Sequence, residues 1–383
     1  MSRKKILIVG NGNHQFITNY VHWVKKGSKG LYTVDVLSSA PIHMENNQIY
    51  NGIFPNYNNS HWFQSFLLKT KGISRYYRFY LYKKSIPQLT GYDIIHFHFI
   101  GTDSYFLINY FKKNSVAKII FSIWGSDMYR VNSTNEKKFI GACRKADVLT
   151  FANEKSIDYF KTKFDWTKNN LYLCRFGLAP LEDIKDLALT KNDCKQQLSW
   201  NNNKLAVTIG YNLSQAQQHL EILTQFEHEK IKRLADKIQL ILPITYGGTS
   251  KYKRQLLDKL SQLPFEYTVY DTFLTDEKVA LIRKASDIMI QVQKTDQFSG
   301  SMQEHLFARN VVITGSWLPY ETIKEHGGWF IEIDKLDELS NIISLTTTNY
   351  KEYEAKTLNN PQIISKLSSW VTNIHKWIAL YSN

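Results

Sequence analysis

Cysteine is scarce: only Cys143, Cys174 and Cys194 occur in 383 residues, and no two of them form a C-x-x-C. An odd, scattered set excludes a disulfide framework and a zinc knuckle, and it fits a reducing compartment. Proline is scarce too, at eight residues, and charged residues make up only 21% of the chain against 43% hydrophobic, which excludes a disordered polyelectrolyte. Long apolar runs are missing. The first, Ile6–Val9, stops at Gly10, too short for a signal-peptide core, and no segment approaches the roughly 20 apolar residues of a membrane-spanning helix. A soluble or peripheral protein is expected, cytoplasmic or on the inner face of the plasma membrane. Negative charge is in deficit. Lysine and arginine number 48 against 34 acids, a formal net charge of +14, which favours an anionic partner.

Two common site signatures are incomplete. Gly10-x-Gly12 lacks the third glycine of a dinucleotide fingerprint, because Gln15 stands there. The second strand ends in Ser38-Ser39, without the acid that would hold a ribose. His14, His96 and His98 have no carboxylate-rich partner, no H-E-x-x-H occurs, and no D-x-D with a metal-binding context is evident. No metal and no tightly held cofactor are expected.

What the chain does have is alternation. Lys5–Val9, Tyr32–Leu37, Tyr92–His98, Lys118–Trp124, Asp147–Phe151 and Leu171–Cys174 are short apolar runs, and helical patterns separate most of them. That is how buried parallel strands read. After a polar connector from about residue 178 to 203 the pattern restarts at Lys204–Gly210. It continues through Ile238–Pro243, Tyr267–Tyr270, Ile288–Val292, Val311–Thr314 and Trp329–Glu332. Two such series imply two doubly wound α/β domains, 1–185 and 186–362, with a final helix from 363 to 383.

The most informative stretch is Thr295-Asp-Gln-Phe-Ser-Gly-Ser-Met-Gln-Glu304. It places a glycine–serine loop between a strand and a helix start, where backbone N–H groups attract phosphate. Two carboxylates, Asp296 and Glu304, are separated by seven residues and can accept hydrogen bonds from sugar or ribose hydroxyls.

With this carboxylate-x7-carboxylate pattern the chain resembles the GT-B glycosyltransferases of the glycogen-synthase-like superfamily. The resemblance extends along nearly the whole sequence: Asp93-Ile-Ile-His-Phe-His98 resembles the family's hxHxH strand end. Ser122-Ile-Trp-Gly-Ser-Asp127, Arg175-Phe-Gly177 and Val207-Thr-Ile-Gly210 match later landmarks. It implies two Rossmann-like domains facing each other across a cleft, acceptor domain first and nucleotide-sugar domain second, with the last helix crossing back to the first. It also implies transfer of a glycosyl group from a nucleotide sugar to a glycan or lipid-linked saccharide, in bacterial surface polysaccharide synthesis such as capsule or O-antigen. Asp296 would lie near the donor sugar, where the family usually has Glu, and Glu304 at the ribose. Ser299, Gly300, Ser301 and Met302 would form the phosphate-facing turn.

Ile209-Gly-Tyr-Asn-Leu-Ser214 with His219, followed by Leu242-Pro-Ile-Thr-Tyr-Gly-Gly248, is similar to the 4-acetamido-fucose transferases. The superfamily's basic pair after the glycine is absent here. Gly210, Asn212, Ser214 and His219, with Lys294 or Arg175, would have to serve the diphosphate instead. The carboxylate pair points to retention of configuration and the fucosamine-transferase likeness to inversion; retention is the expectation.

On the acceptor side, Asp127 follows a strand end beside Gly125 and suits a base, and His98 stands at a strand end. Residues Trp62–Lys84 interleave basic and aromatic side chains, as does either a helix with an aromatic inner face and a solvated basic outer face or a contact with an anionic membrane surface; no nucleic-acid motif accompanies them. Two other readings remain open: a nucleotide-sugar epimerase of the same architecture, and a non-catalytic partner subunit with a degenerate nucleotide site.

Overall fold

The computed structural model describes residues 3–55, 62–70 and 72–382. Two compact units divide the chain: Met1–Gly177 together with Trp370–Asn383, and Leu178–Ser369.

The first unit is built on seven strands: β1 (Lys4–Gly10), β2 (Tyr32–Ser38), β3 (Ile53–Phe54), β4 (Ile94–His98), β5 (Lys118–Ser122), β6 (Val148–Phe151) and β7 (Leu171–Leu173). All pairs are parallel and the spatial order is 3-2-1-4-5-6-7. Helices cover both faces, so Ile6, Leu7 and Ile8 are all fully buried although they alternate between faces. The second unit repeats the plan with β8 (Leu205–Ile209), β9 (Ile238–Pro243), β10 (Glu266–Tyr270), β11 (Ile288–Gln291), β12 (Val311–Gly315) and β13 (Ile331–Ile333). Its order is 10-9-8-11-12-13, again parallel throughout.

A recurring aspartate pins the register. Asp93, Asp147 and Asp287 each stand just before an apolar strand in Tyr-Asp-Ile, Ala-Asp-Val and Ser-Asp-Ile. Their carboxylates accept backbone N–H bonds from Lys5 (2.7 Å), Ile119 (2.7 Å) and Ala206 (2.8 Å) at the start of the neighbouring strand. Backbone N–H groups at the starts of these interior strands are thereby paired, and a slip of one residue would break the bond.

The stretch 363–383, expected as one helix, is two: Asn360–Ser368 and Trp370–Ser382. Ser369 between them is extended, at φ −75° and ψ 149°, so the chain turns before the last helix begins. That last helix belongs to the first unit. Tyr20 donates to the Tyr381 hydroxyl (2.6 Å), which lies 2.7 Å from His96 Nδ1, and Trp377 Nε1 donates to the Arg175 carbonyl (2.9 Å). Lys4 and Lys118 donate to the carbonyls of Tyr381 and Leu380, both at 2.8 Å. Two cations at a helix C-terminus satisfy its orphan carbonyls and oppose its dipole.

Candidate functional site

In an open parallel sheet the strand order reverses beside the first strand, and ligands bind beyond the carboxyl ends there. The second unit's switch point lies between β8 and β11, and the expected donor residues gather around it. After β8 the chain turns at Gly210, whose φ of +62° favours glycine; a Cβ there would meet His219 Nε2 at 2.9 Å. Asn212 Oδ1 accepts from Ser214 N at 2.9 Å and closes the turn. The loop after β11 ties back to it: Lys294 N donates to the Ala216 carbonyl (2.9 Å) and Gln217 Nε2 to Gln293 Oε1 (2.9 Å). Lys294 itself is exposed.

From Asp296 the loop leads into the helix Gly300–Phe307. Ser299 caps it by accepting from Met302 N at 3.2 Å. The buried Ser301 hydroxyl at the first turn makes no hydrogen bond among the described residues. Asp296 Oδ1 accepts from Gln297 N at 2.8 Å, and Oδ2 takes a short hydrogen bond from the fully buried Tyr320 hydroxyl. Glu304 Oε2 receives Arg283 Nε at 2.9 Å, and Oε1 lies 3.8 Å from where a Cβ on Gly300 would stand. Leu213 N donates to the Tyr246 carbonyl (2.6 Å), which joins the turns after β8 and β9.

One expected role in this unit changes. His219 is fully buried, and burial lowers its pKa to about 4. It is neutral at ordinary pH and supports the Gly210 turn from beneath; it brings no cation to a diphosphate. Arg283, Tyr320, Gln217 and Gln293 had no sequence signal, because each reaches the site from a separate βα unit.

The first unit has its own switch point, between β1 and β4, and a cavity of about 560 Å³ opens there. Gly10, His14, Arg78, His98, Asp103 and Trp124 are among its lining residues. His98 is 2% exposed, and neither ring nitrogen has a hydrogen-bond partner among the described residues; Trp124 Nε1 is likewise buried and unpaired. Burial, with His14 nearby, lowers the His98 pKa to about 3, so the ring is neutral. His96, its neighbour in the strand, is engaged instead by Tyr381 and Ser122 (both 2.7 Å). No cluster of metal-ligating side chains exists among the described residues.

Asp127 and Arg175 have partners that the sequence does not show. The Asp127 carboxylate is buried, accepting from Ile100 N (2.9 Å) and Trp124 N (3.0 Å). Each oxygen accepts one of these bonds, tying together the loops that leave β4 and β5, so Asp127 positions the cavity wall. Burial outweighs these bonds and raises its pKa to about 6. Arg175 lies in the first unit. Its guanidinium donates to the Ala152 carbonyl (3.0 Å) and to Glu154 (3.3 Å).

Residues 5–153 match the family described as "Glycosyl transferase 4-like". The chain has the GT-B fold. Its two parallel sheets occur in solved GT-B proteins over almost the full length of both partners. A glycosyltransferase from Rickettsia africae is 15% identical, with a TM-score of 0.70 and coverage of 100% of this chain and 98% of that one. HepE from Anabaena, solved with UDP and glucose, is 13% identical, with a TM-score of 0.74 and 99% of each chain covered. Sucrose-phosphate synthase from Thermosynechococcus elongatus is 13% identical, with a TM-score of 0.74, covering 99% of this chain and 98% of that one. No curated protein sequence matches. In this GT-B chain the family match falls on the first unit, whereas the carboxylate-x7-carboxylate loop lies in the second.

Proposed function

We propose that the protein transfers a glycosyl group from a nucleoside-diphosphate sugar to a saccharide hydroxyl, with retention of configuration. The observation that carries this reading is the pair Asp296 and Glu304 flanking the capped start of the helix Gly300–Phe307 at the second unit's switch point. Glu304 would accept from ribose hydroxyls through the oxygen that Arg283 leaves available. Asp296 would accept from hydroxyls of the donor sugar. The free N–H groups of the first helical turn, the Ser301 hydroxyl and exposed Lys294 would stabilise negative charge growing on the departing diphosphate. HepE, with UDP-glucose bound in its own structure, makes UDP-glucose the first donor to try. The test is a thermal-shift panel of UDP-, GDP- and dTDP-sugars, followed by product analysis by NMR. A stabilising donor whose sugar appears on an acceptor with unchanged anomeric configuration supports the reading. Binding of none of them removes it.

On the acceptor side, we propose a saccharide carried on a lipid, met at an anionic membrane in surface polysaccharide synthesis. The helix Ile73–Ser85 supports this through its two faces. Arg78 and Tyr82 line the cavity and converge on Asp103, at 3.2 and 3.0 Å. Ile73, Arg75, Tyr76, Tyr80, Lys83 and Lys84 are exposed on the same helix, and Phe66 and Lys69 on the one before it. Lys71 and the side chains of Trp62 and Phe63 lie outside the described residues. An amphiphile could thus place its sugar in the cavity while its chain stays in a bilayer that Tyr76 and Tyr80 enter and the lysines contact.

A further inference from the structure

Tyr320 stands between β12 and the helix Glu321–Glu325, in a loop separate from the carboxylate motif, and it is fully buried. Its hydroxyl donates to Asp296 Oδ2, and Gln291 lies beside it. Burial and the Asp296 charge push the phenol well above its ordinary pKa, so it is a protonated donor at neutral pH. Asp296 is one methylene shorter than the glutamate usual at this position of the motif. Its Oδ1 is engaged by the adjacent Gln297 N–H, an anchor of the loop to itself; Tyr320 ties the carboxylate to the neighbouring βα unit.

We propose that Tyr320 is the positioning residue of the donor-sugar site: its hydroxyl holds the short Asp296 carboxylate in one orientation. This rests on the reading of Asp296 as a donor-sugar ligand. A hydrogen bond to the charged form of a carboxylate favours that form, and removing it raises the acid's pKa. Without this bond the carboxylate would lose its tie to the neighbouring βα unit, so the sugar hydroxyls it accepts from would lose alignment.

The test uses the full chain as wild type, Tyr320→Phe, Asp296→Asn and the double variant. Turnover is followed with UDP-glucose, GDP-mannose and dTDP-glucose, and melting temperature is measured from pH 4 to 8. Tyr320→Phe should lower kcat by about 10- to 100-fold, leave affinity for the bare nucleoside diphosphate within about twofold, and move the acid limb of kcat to higher pH. The melting-temperature loss caused by Tyr320→Phe should be larger at pH 7.5 than at pH 4, and should shrink when Asp296 is already Asn. A loss that is equal at all pH values and additive with Asp296→Asn overturns the proposal, and this comparison needs no substrate. If Asp296→Asn turns over like wild type, the reading of Asp296 fails and the proposal falls with it. If Asp296→Asn loses turnover and Tyr320→Phe does not, only the proposal falls.

Discussion

Arg283 Nε and Glu304 Oε2 are 2.9 Å apart, and both side chains are buried at about one-tenth exposure or less. The arginine comes from the helix Asp276–Ala285 and also reaches His305 at 3.2 Å through its second nitrogen. Glu304 is thus held from behind by a cation, with its other oxygen turned toward the first turn of its helix.

This pairing gives Glu304→Gln two separable consequences. Loss of a charge-assisted bond to the donor ribose should weaken nucleotide affinity by roughly 1.5–3 kcal/mol. The uncompensated Arg283 charge should also lower the melting temperature, since breaking a buried pair costs about 3–5 kcal/mol. Calorimetry with UDP, GDP and dTDP and a thermal melt on the same preparation read the two effects. Unchanged affinity for all three in a folded variant would remove Glu304 from the nucleotide site.

Asp127 should reveal itself through pH. Its folded pKa of about 6 lies above the unfolded carboxylate value, so the folded protein binds this proton more tightly. Its contribution to stability is therefore fully present below about pH 4 and is lost as pH rises through about 6. The size is on the order of 3 kcal/mol. Urea melts of wild type and Asp127→Asn between pH 4 and 7.5 should differ by that slope. The substitution should also loosen the loops at Ile100 and Trp124, lowering acceptor-dependent turnover while leaving nucleotide affinity intact. A variant with an unaltered pH slope would show that the carboxylate is not buried as described.

His98 presents a trade between stability and activity. Two buried ring nitrogens without partners are a cost of about 1–3 kcal/mol that an apolar ring of similar shape avoids. His98→Phe should therefore melt at a higher temperature than wild type and transfer to acceptor at least about 10-fold more slowly. A variant with both stability and transfer unchanged would mean that the ring does not serve the cavity.

Membrane contact is read by liposome sedimentation. Wild type should bind phosphatidylglycerol vesicles at low salt and release at high salt, each basic residue near the surface contributing about 1 kcal/mol. Arg75→Ser with Lys84→Ser should weaken binding about 10-fold or more, and Tyr76→Ser should weaken it without altering the salt dependence. No sedimentation at low salt would make this face an ordinary solvated surface.

The architecture was legible in the sequence because a parallel strand buried on both faces must be apolar throughout. The runs from Ile6 to Ile333 mark the sheets, and their alternation with helices leaves few topologies open. The loop from Asp296 to Glu304 was legible for a similar reason: capping serine, glycine and carboxylates lie within nine consecutive residues. What tertiary structure alone decided is the company each group keeps. Asp127 reads as a base from its place after a strand; the structure adds that its oxygens tie Ile100 N to Trp124 N. His219 looked like a substitute cation, but complete burial keeps it neutral. Arg175 reads as a phosphate ligand; the structure adds the bonds of its guanidinium to Ala152 and Glu154. Tyr320 and Arg283 carried no signal because they meet Asp296 and Glu304 across about 20 to 24 positions of sequence. Protonation state and hydrogen-bond partnership depend on desolvation and on distances of a few ångströms between separate loops, and no local pattern of residues encodes those.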